Sequence, residues 1–397
     1  MTDKNLPLSG LRVVDLTQVQ FGPCATQVLG DFGAEIIKVE RPHVGDISRS
    51  TDPFIAEKNG ESAYFMALNR NKRSLAIDLG KQEGRRVVRD LVRRADIFVH
   101  NFRPGVAERL GFDYETLSGD NPRLIYASGS GFGQTGPLVH KAGQDLLAQS
   151  LSGQASRNTA ADGKPQLYPT ALGDFSSGMI LAQGMLLALY NRERSGRGQS
   201  MHICLLDTLI AMQQQEVTQW LLRKRETNWV AQNLIDIFET SDGAVTLVGV
   251  FRTNPLGAVC QALALDDLSK LPQYATLAIQ MQNRSALMAE LAKGFARYST
   301  EECLQRLDGA DILCAPVLGL DEALKQPQVG ANGILMTMDH PVHGRVTTPG
   351  NPLRMSDVKQ IARRAPPKLG QHSDEILAEM GYTREAIDVM RQAAVIQ

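Results

Sequence analysis

The sequence predicts an α/β protein, with a large, doubly wound, Rossmann-like domain of parallel strands and a smaller α+β domain after it. Three observations carry this reading. Within the first 40 residues a β-branched run, a helical stretch and a second β-branched run follow one another, as in a βαβ unit. Strand and helix patterns keep alternating as far as residue 127. After about residue 220 the pattern changes, and 397 residues are more than one hydrophobic core usually serves.

In order along the chain, Leu11-Arg-Val-Val-Asp-Leu16 reads as a buried strand, Ala25 to Phe32 as a helix, and Glu35-Ile-Ile-Lys-Val-Glu40 as the second strand. A helix follows from Gln82 to Ala95, with Val88, Leu91, Val92 and Ala95 on one face and Arg85, Arg86 and Arg93 elsewhere. Asp96 to His100 and Arg123 to Ala127 are the next strands. Asp174 begins a strongly apolar helix that ends near Ser195-Gly-Arg-Gly198, and Met201 to Leu205 reads as a strand. Phe238 to Gly243 reads as a turn into the strand Ala244 to Val248, with helical segments to about Leu307. The C-terminal stretch, punctuated by Pro341, Pro349, Pro352, Pro366 and Pro367, reads as an extended arm. The expected domains are 1–215 (large), 225–325 (small) and 330–397 (an arm returning to the large domain).

Composition excludes several classes. Hydrophobic residues make up 43% and charged residues 21%, an ordinary globular balance. A net charge of −1 offers no general attraction to nucleic acid or to a membrane surface, so an anionic ligand must be met by local basic clusters. Five dispersed cysteines with no CxxC pair argue against a disulfide framework and against a structural metal. The N-terminus carries no signal-peptide pattern. The longest apolar run, Met179 to Tyr190, is short for a bilayer and contains Gln183. A cytoplasmic location is expected.

Gly131-Phe-Gly-Gln-Thr-Gly136 satisfies G-x-G-x-x-G, yet Pro137 follows where a dinucleotide fingerprint opens a helix, and several strands precede it. A turn or close backbone approach suits Gly131 and Gly133 better. Basic residues recur at expected strand ends: Lys38, Arg41, Lys72, Arg73, Arg103 and Arg109. They are either solvated surface charge or a cradle for a polyphosphate beyond the carboxyl ends of the strands. Asp174, in Ala171-Leu-Gly-Asp-Phe-Ser-Ser-Gly178, suits two roles. It is a helix N-cap, or a nucleophile whose charge the helix start stabilises. The residues alone leave both open.

At these positions the chain resembles the class III CoA-transferases, the family of formyl-CoA transferase and carnitine CoA-transferase. The likeness runs through Gly10-Leu-Arg-Val-Val-Asp-Leu-Thr17, Gly33-Ala-Glu-Ile-Ile-Lys-Val-Glu40, Asn69-Arg-Asn-Lys-Arg-Ser74, Asn101-Phe-Arg-Pro-Gly105, Ser130-Gly-Phe-Gly-Gln-Thr-Gly-Pro137, Gly173-Asp174 and Pro366 to Glu375. The resemblance implies that Asp174 is the catalytic nucleophile, passing through an aspartyl anhydride and an aspartyl-CoA thioester. It implies that Gln20, Arg41, Lys72, Asn101, Phe102 and Arg109 contact coenzyme A, and that Asp145, Gln144, Gly131 and Gly133 shape the active site. Coenzyme A would be a substrate rather than a tightly bound cofactor, the partners an acyl-CoA and a carboxylic acid, and the assembly a homodimer of interlocked rings. No glycine-rich lid follows Leu234, and Phe21 stands where formyl-CoA transferase has a small residue. The similar α-methylacyl-CoA racemases use a His–Asp pair, but here the run is Ala142-Gly-Gln-Asp145, and the Gln144 amide does not shuttle protons at neutral pH.

Overall fold

Six short strands pair in parallel to form the sheet that organises the first half of the chain. They are β1 (Arg12–Asp15), β2 (Glu35–Glu40), β3 (Lys72–Ala76), β4 (Ile97–His100), β5 (Ile125–Ser130) and β6 (Ser200–Cys204), in the order β3-β2-β1-β4-β5-β6. The order reverses between β1 and β4, so the expected doubly wound sheet is present, and a crevice opens beyond the carboxyl ends of those two strands. These coordinates come from a computed structural model, which describes residues 6–55, 62–159, 163–358 and 361–397.

Helices cover both faces. On one lie Phe21–Asp31 and the 24-residue helix Leu172–Ser195, packing Leu29, Leu181 and Met185 against Val13, Ile97 and Ile125. A Cβ at Gly178 would stand 2.7 Å from the Phe21 carbonyl oxygen and from Cys24 Cβ, so glycine sets how closely these helices approach. Among the described residues, Leu172–Ser195 alone matches a membrane span in length and composition. Here its inner face is core, and Arg192 reaches Asp96 at 2.9 Å. The other face of the sheet carries the helix Gln82–Val92, with Val88 and Leu91 buried.

Several boundaries differ from expectation for physical reasons. The first helix starts at Phe21, because Pro23 lies in its first turn, where a missing N–H costs nothing. β3 was not expected: Lys72-Arg73-Ser74 reads as polar, yet all five residues of the strand are buried. Lys38 is not at a strand end but inside β2 and fully buried. The C-terminal stretch is only partly extended. It forms the hairpin of β10 (Leu335–His340) and β11 (Gly344–Pro349), then the helices Ser373–Glu379 and Arg384–Gln392, whose Ile376, Leu377, Ile387 and Met390 enter the core beside Ile77 and Val88.

By compactness the chain divides into two units, one running to Gln213 and including Asn332–Gln397, the other Gln214–Ala331. The second unit has an antiparallel sheet of β7 (Ile235–Glu239), β8 (Ala244–Val248) and β9 (Leu313–Pro316), with helices against it. Its core includes Phe238 stacked on Phe295 at 4.3 Å between ring centroids. The helix Thr300–Gly309 starts in a capping box of Ser299 and Glu302.

Candidate functional site

The helix Leu172–Ser195 begins one residue after its cap, Ala171, so Asp174 is its third residue and makes no capping bond. Asp145 meets that helix start instead: its Oδ2 accepts the Asp174 backbone N–H at 2.8 Å, and its Oδ1 accepts Gln149 Nε2–H at 2.6 Å. Gly173 makes room for this contact, since a Cβ there would stand 2.9 Å from Asp145 Oδ2. Both carboxylates line the cleft, Asp145 buried at 2% exposure and Asp174 the more exposed of the two. Burial, and then the charge of Asp145, push the Asp174 carboxyl up to about 7. Among the described residues nothing donates a hydrogen bond to that carboxylate.

The cleft has a volume of about 370 Å³, and Gly131, Phe132 and Gly133 form one wall. The backbone needs glycine at two places. A Cβ at Gly131 would meet Gly143 Cα at 2.3 Å, so two loops touch backbone to backbone, and Gly133 has φ +106°. The segment after β1 also lines the cleft, through Gln18, Val19 and Phe21. Val19 there adopts φ +68°, a left-handed conformation costly for a β-branched residue. Side chains grip the strained segment at successive peptides. Lys38 Nζ donates to the Thr17 carbonyl at 2.8 Å, Asn101 bonds both the N–H and the C=O of Gln18 at 2.9 Å, and Asp46 accepts the Val19 N–H at 3.0 Å.

Beneath this segment lies a buried ionic cluster. Asp15, at the end of β1, accepts from Thr17 N–H, from Thr26 Oγ1 at 2.7 Å and from Lys72 Nζ at 3.3 Å. Lys72 also donates to the Thr26 hydroxyl, the Asn69 side chain and the Pro23 carbonyl. Burial, with Lys38 nearby and against the pull of Asp15, brings the Lys72 ammonium down to about 8. Burial works against charge on Lys38 as well, but Asp46 at 2.8 Å, Asp15 and Glu40 hold it above the usual lysine value. Close to Asp174, burial pushes the Cys24 thiol up to about 12 against the pull of Lys72, with the Asp174 charge adding to the rise.

The residues expected to meet coenzyme A therefore separate. Asn101 and Phe102 line the cleft, as do Gln144, Gly131, Gly133 and Asp145. Phe102 also stacks on His100 at 5.2 Å, which burial, then His202, holds down to about 3 and so neutral. Arg41 is exposed and lines a second cavity of about 440 Å³, walled by Leu16, Val39, Ile77 and Leu79. Arg109 is exposed on the short helix Val106–Leu110, whose end residues line that second cavity. Lys72 is fully buried, and four protein acceptors surround its three protons. Gln20 is the cap residue of the first helix, while its neighbours Gln18, Val19 and Phe21 line the cleft. Sequence reasoning missed Gln18, which lines both cavities, and Arg103 and Lys141 bring cations to the cleft. Gln144 caps the helix Asp145–Leu151, its Oε1 accepting Leu146 N–H at 3.0 Å. No group of three or more His, Cys, Asp or Glu suited to a metal occurs among the described residues.

The sequence profile of CoA-transferase family III matches residues 8–373. A succinyl-CoA:glutarate CoA-transferase of Mus musculus is 36% identical over 401 residues, covering 100% of this chain and 91% of the relative. A formyl-CoA:oxalate CoA-transferase of Escherichia coli O157:H7 is 32% identical over 412 residues, covering 97% and 98%. In structure, a CAIB/BAIF family protein of Brucella suis superposes with a TM-score of 0.84 at 31% identity, over 95% of this chain and 100% of the other. The chain belongs to CoA-transferase family III and is a CoA-transferase.

Proposed function

We propose that the protein moves coenzyme A from an acyl-CoA to a carboxylic acid by covalent catalysis at Asp174. The observation that carries this is a carboxylate at the cleft wall, given no hydrogen bond by its surroundings and raised to about 7 by burial and by Asp145. A carboxylate stripped of hydration and made more basic is a better nucleophile toward a thioester. Asp174 attacks the thioester carbonyl, forming a mixed anhydride and releasing CoA thiolate. The thiolate attacks the aspartyl carbonyl, giving an aspartyl-CoA thioester and the free donor acid. The acceptor carboxylate attacks that thioester, and the returning thiolate attacks the acceptor carbonyl of the second anhydride. Product acyl-CoA leaves and Asp174 is regenerated.

The two cavities share Gln18 and Phe102, which supports one groove for a long ligand. In this reading the thioester lies at Asp174, Phe102 stands at the bend, and Arg41 and Arg109 meet phosphates. Coenzyme A is then a substrate, and the chemistry calls for no tightly bound cofactor. The proposal extends to domains at 1–215, 225–325 and 330–397, to a homodimer of interlocked rings, and to a cytoplasmic location in keeping with five free cysteines. Succinyl-CoA, carried in the name of the Mus musculus relative, is the first donor to assay. The test is to incubate the protein with acyl-CoA, quench with hydroxylamine and locate the adduct by peptide mass spectrometry. A hydroxamate on the Asp174 peptide is expected, and one on the Asp145 peptide would assign the wrong carboxylate.

A further inference from the structure

We infer that His202 is a positioning residue for the glycine-rich loop that walls the Asp174 cleft, acting through Ser128 and Ser130. In the parallel pairing of β5 and β6, Ser128 stands opposite His202, and strand alternation puts Ser130 on the same face. The imidazole sits between the two hydroxyls, with Nδ1 3.1 Å from Ser128 Oγ and Nε2 3.4 Å from Ser130 Oγ. Each hydroxyl in turn holds the loop. Ser130 Oγ accepts the Gly133 backbone N–H at 3.0 Å, and Ser128 Oγ accepts Gln134 Nε2–H at 2.8 Å. The loop is thus pinned at Gly133, where φ is +106°, and at the next residue. Its other anchor is Gly131, whose carbonyl accepts Leu206 N–H at 3.1 Å and whose backbone packs on Gly143.

Both ring nitrogens are spent on the two serines that fasten the loop. Burial, with Asp207 opposing, holds the ring below the usual histidine value, so at neutral pH it offers one donor and one acceptor. A neutral imidazole thereby orients both hydroxyls, Ser128 Oγ also reaching the Met201 carbonyl at 3.4 Å. The consequence rests on the anhydride reading of Asp174. An ordered loop keeps water from the anhydride, where attack of a water oxygen on the carbonyl would break its C–O bond, releasing two free carboxylates and two protons. The loop His202 holds therefore sets the partition between transfer and hydrolysis.

The experiment compares wild type, His202→Leu, His202→Gln and Ser130→Ala, measuring transfer and acyl-CoA hydrolysis in the absence of acceptor. His202→Leu should lower kcat about tenfold, leave KM for acyl-CoA within about twofold, and raise hydrolysis relative to transfer about tenfold. His202→Gln, which keeps a donor and an acceptor, should recover most of both losses. A merely structural histidine would lower the amount of active protein without moving the partition. If His202→Leu does not fold, Ser130→Ala carries the same expectation through the same link. Wild-type partition in the folded variants, with the hydroxylamine adduct present on Asp174 of the wild type, overturns this inference alone. An absent adduct in the wild type overturns the anhydride reading and this inference with it.

Discussion

Replacing Asp174 by Asn separates the cost of holding a carboxylate in this cleft from its use. The folded carboxyl keeps its proton up to about pH 7, whereas in the unfolded chain it ionises near 3.8. Because the folded value is raised, the cost of the buried charge is fully present above pH 7, shrinks as pH falls between the two values and is gone below the lower one. At 1.36 kcal/mol per pH unit, that interval amounts to roughly 4 kcal/mol. Solvent reaching the cleft screens part of it, and the lost attraction of the helix start for an acidic residue takes back about 0.3–1 kcal/mol, leaving about 2–3. No capping bond is lost, since Ala171 is the cap. Asp174→Asn should therefore raise the melting temperature by several degrees at pH 8, with the gap closing toward pH 4. In the same preparations, CoA transfer should fall about a thousandfold or more, because an amide forms no anhydride. Melts at four or five pH values and a transfer assay suffice. Near-wild-type transfer by Asp174→Asn would refute the covalent role, and a stability gain that does not vary with pH would refute the account of the raised carboxyl.

Lys72→Met should cost about 3–5 kcal/mol by leaving Asp15 buried without its ammonium partner, read as a drop in the denaturation midpoint, while the folded fraction keeps a KM for acyl-CoA near wild type. Gly131→Ala places a Cβ 2.3 Å from Gly143 Cα, so a loss of about 1–3 kcal/mol or more is expected, together with a distorted cleft wall, measured by melting and by kcat. Arg41→Ala should raise KM for acyl-CoA with little change in kcat, the signature of lost uniform binding. An unchanged KM would remove Arg41 from the ligand groove. The proposed homodimer of interlocked rings should stay dimeric on dilution, because linked rings separate only on unfolding, and a concentration-dependent monomer in sedimentation would refute it.

What the sequence disclosed follows the physics of each segment. β1, β2 and β4 show as runs of Val, Ile and Phe because buried parallel strands need apolar residues on both faces. β3 did not show, because Lys72, Arg73 and Ser74 are buried by pairing with charges far along the chain, as Arg73 is with Glu375 and Glu379. The helix expected from Ala25 begins at Phe21, and only the geometry of the first turn places Gly22 and Pro23 within it. At the site, Asp174 was visible as an acidic residue at a helix start. That Asp145 accepts its amide was not, since the two lie 29 residues apart and no periodicity links them. The difference between Gln18 and Gln20 was also illegible, because it depends on a left-handed turn at Val19, a residue type that does not announce one.

The burial of Lys72 and Cys24 bears on a hazard that the covalent catalysis proposed for Asp174 would carry. An aspartyl anhydride or thioester is an acylating agent, and the enzyme that generates it is the first protein it meets. Lys72, at about 8, would be a competent amine if it were solvated, but its protons are committed to Asp15, Thr26, Asn69 and Pro23 and its surface is sealed. Cys24 stays a thiol at neutral pH, packed under the close approach at Gly178, and presents no thiolate. Two side chains that could have diverted the acyl group into irreversible self-modification are thus inert, one by enclosure and the other by protonation. A substitution that opened either to solvent would shorten the working life of the enzyme before it changed the rate.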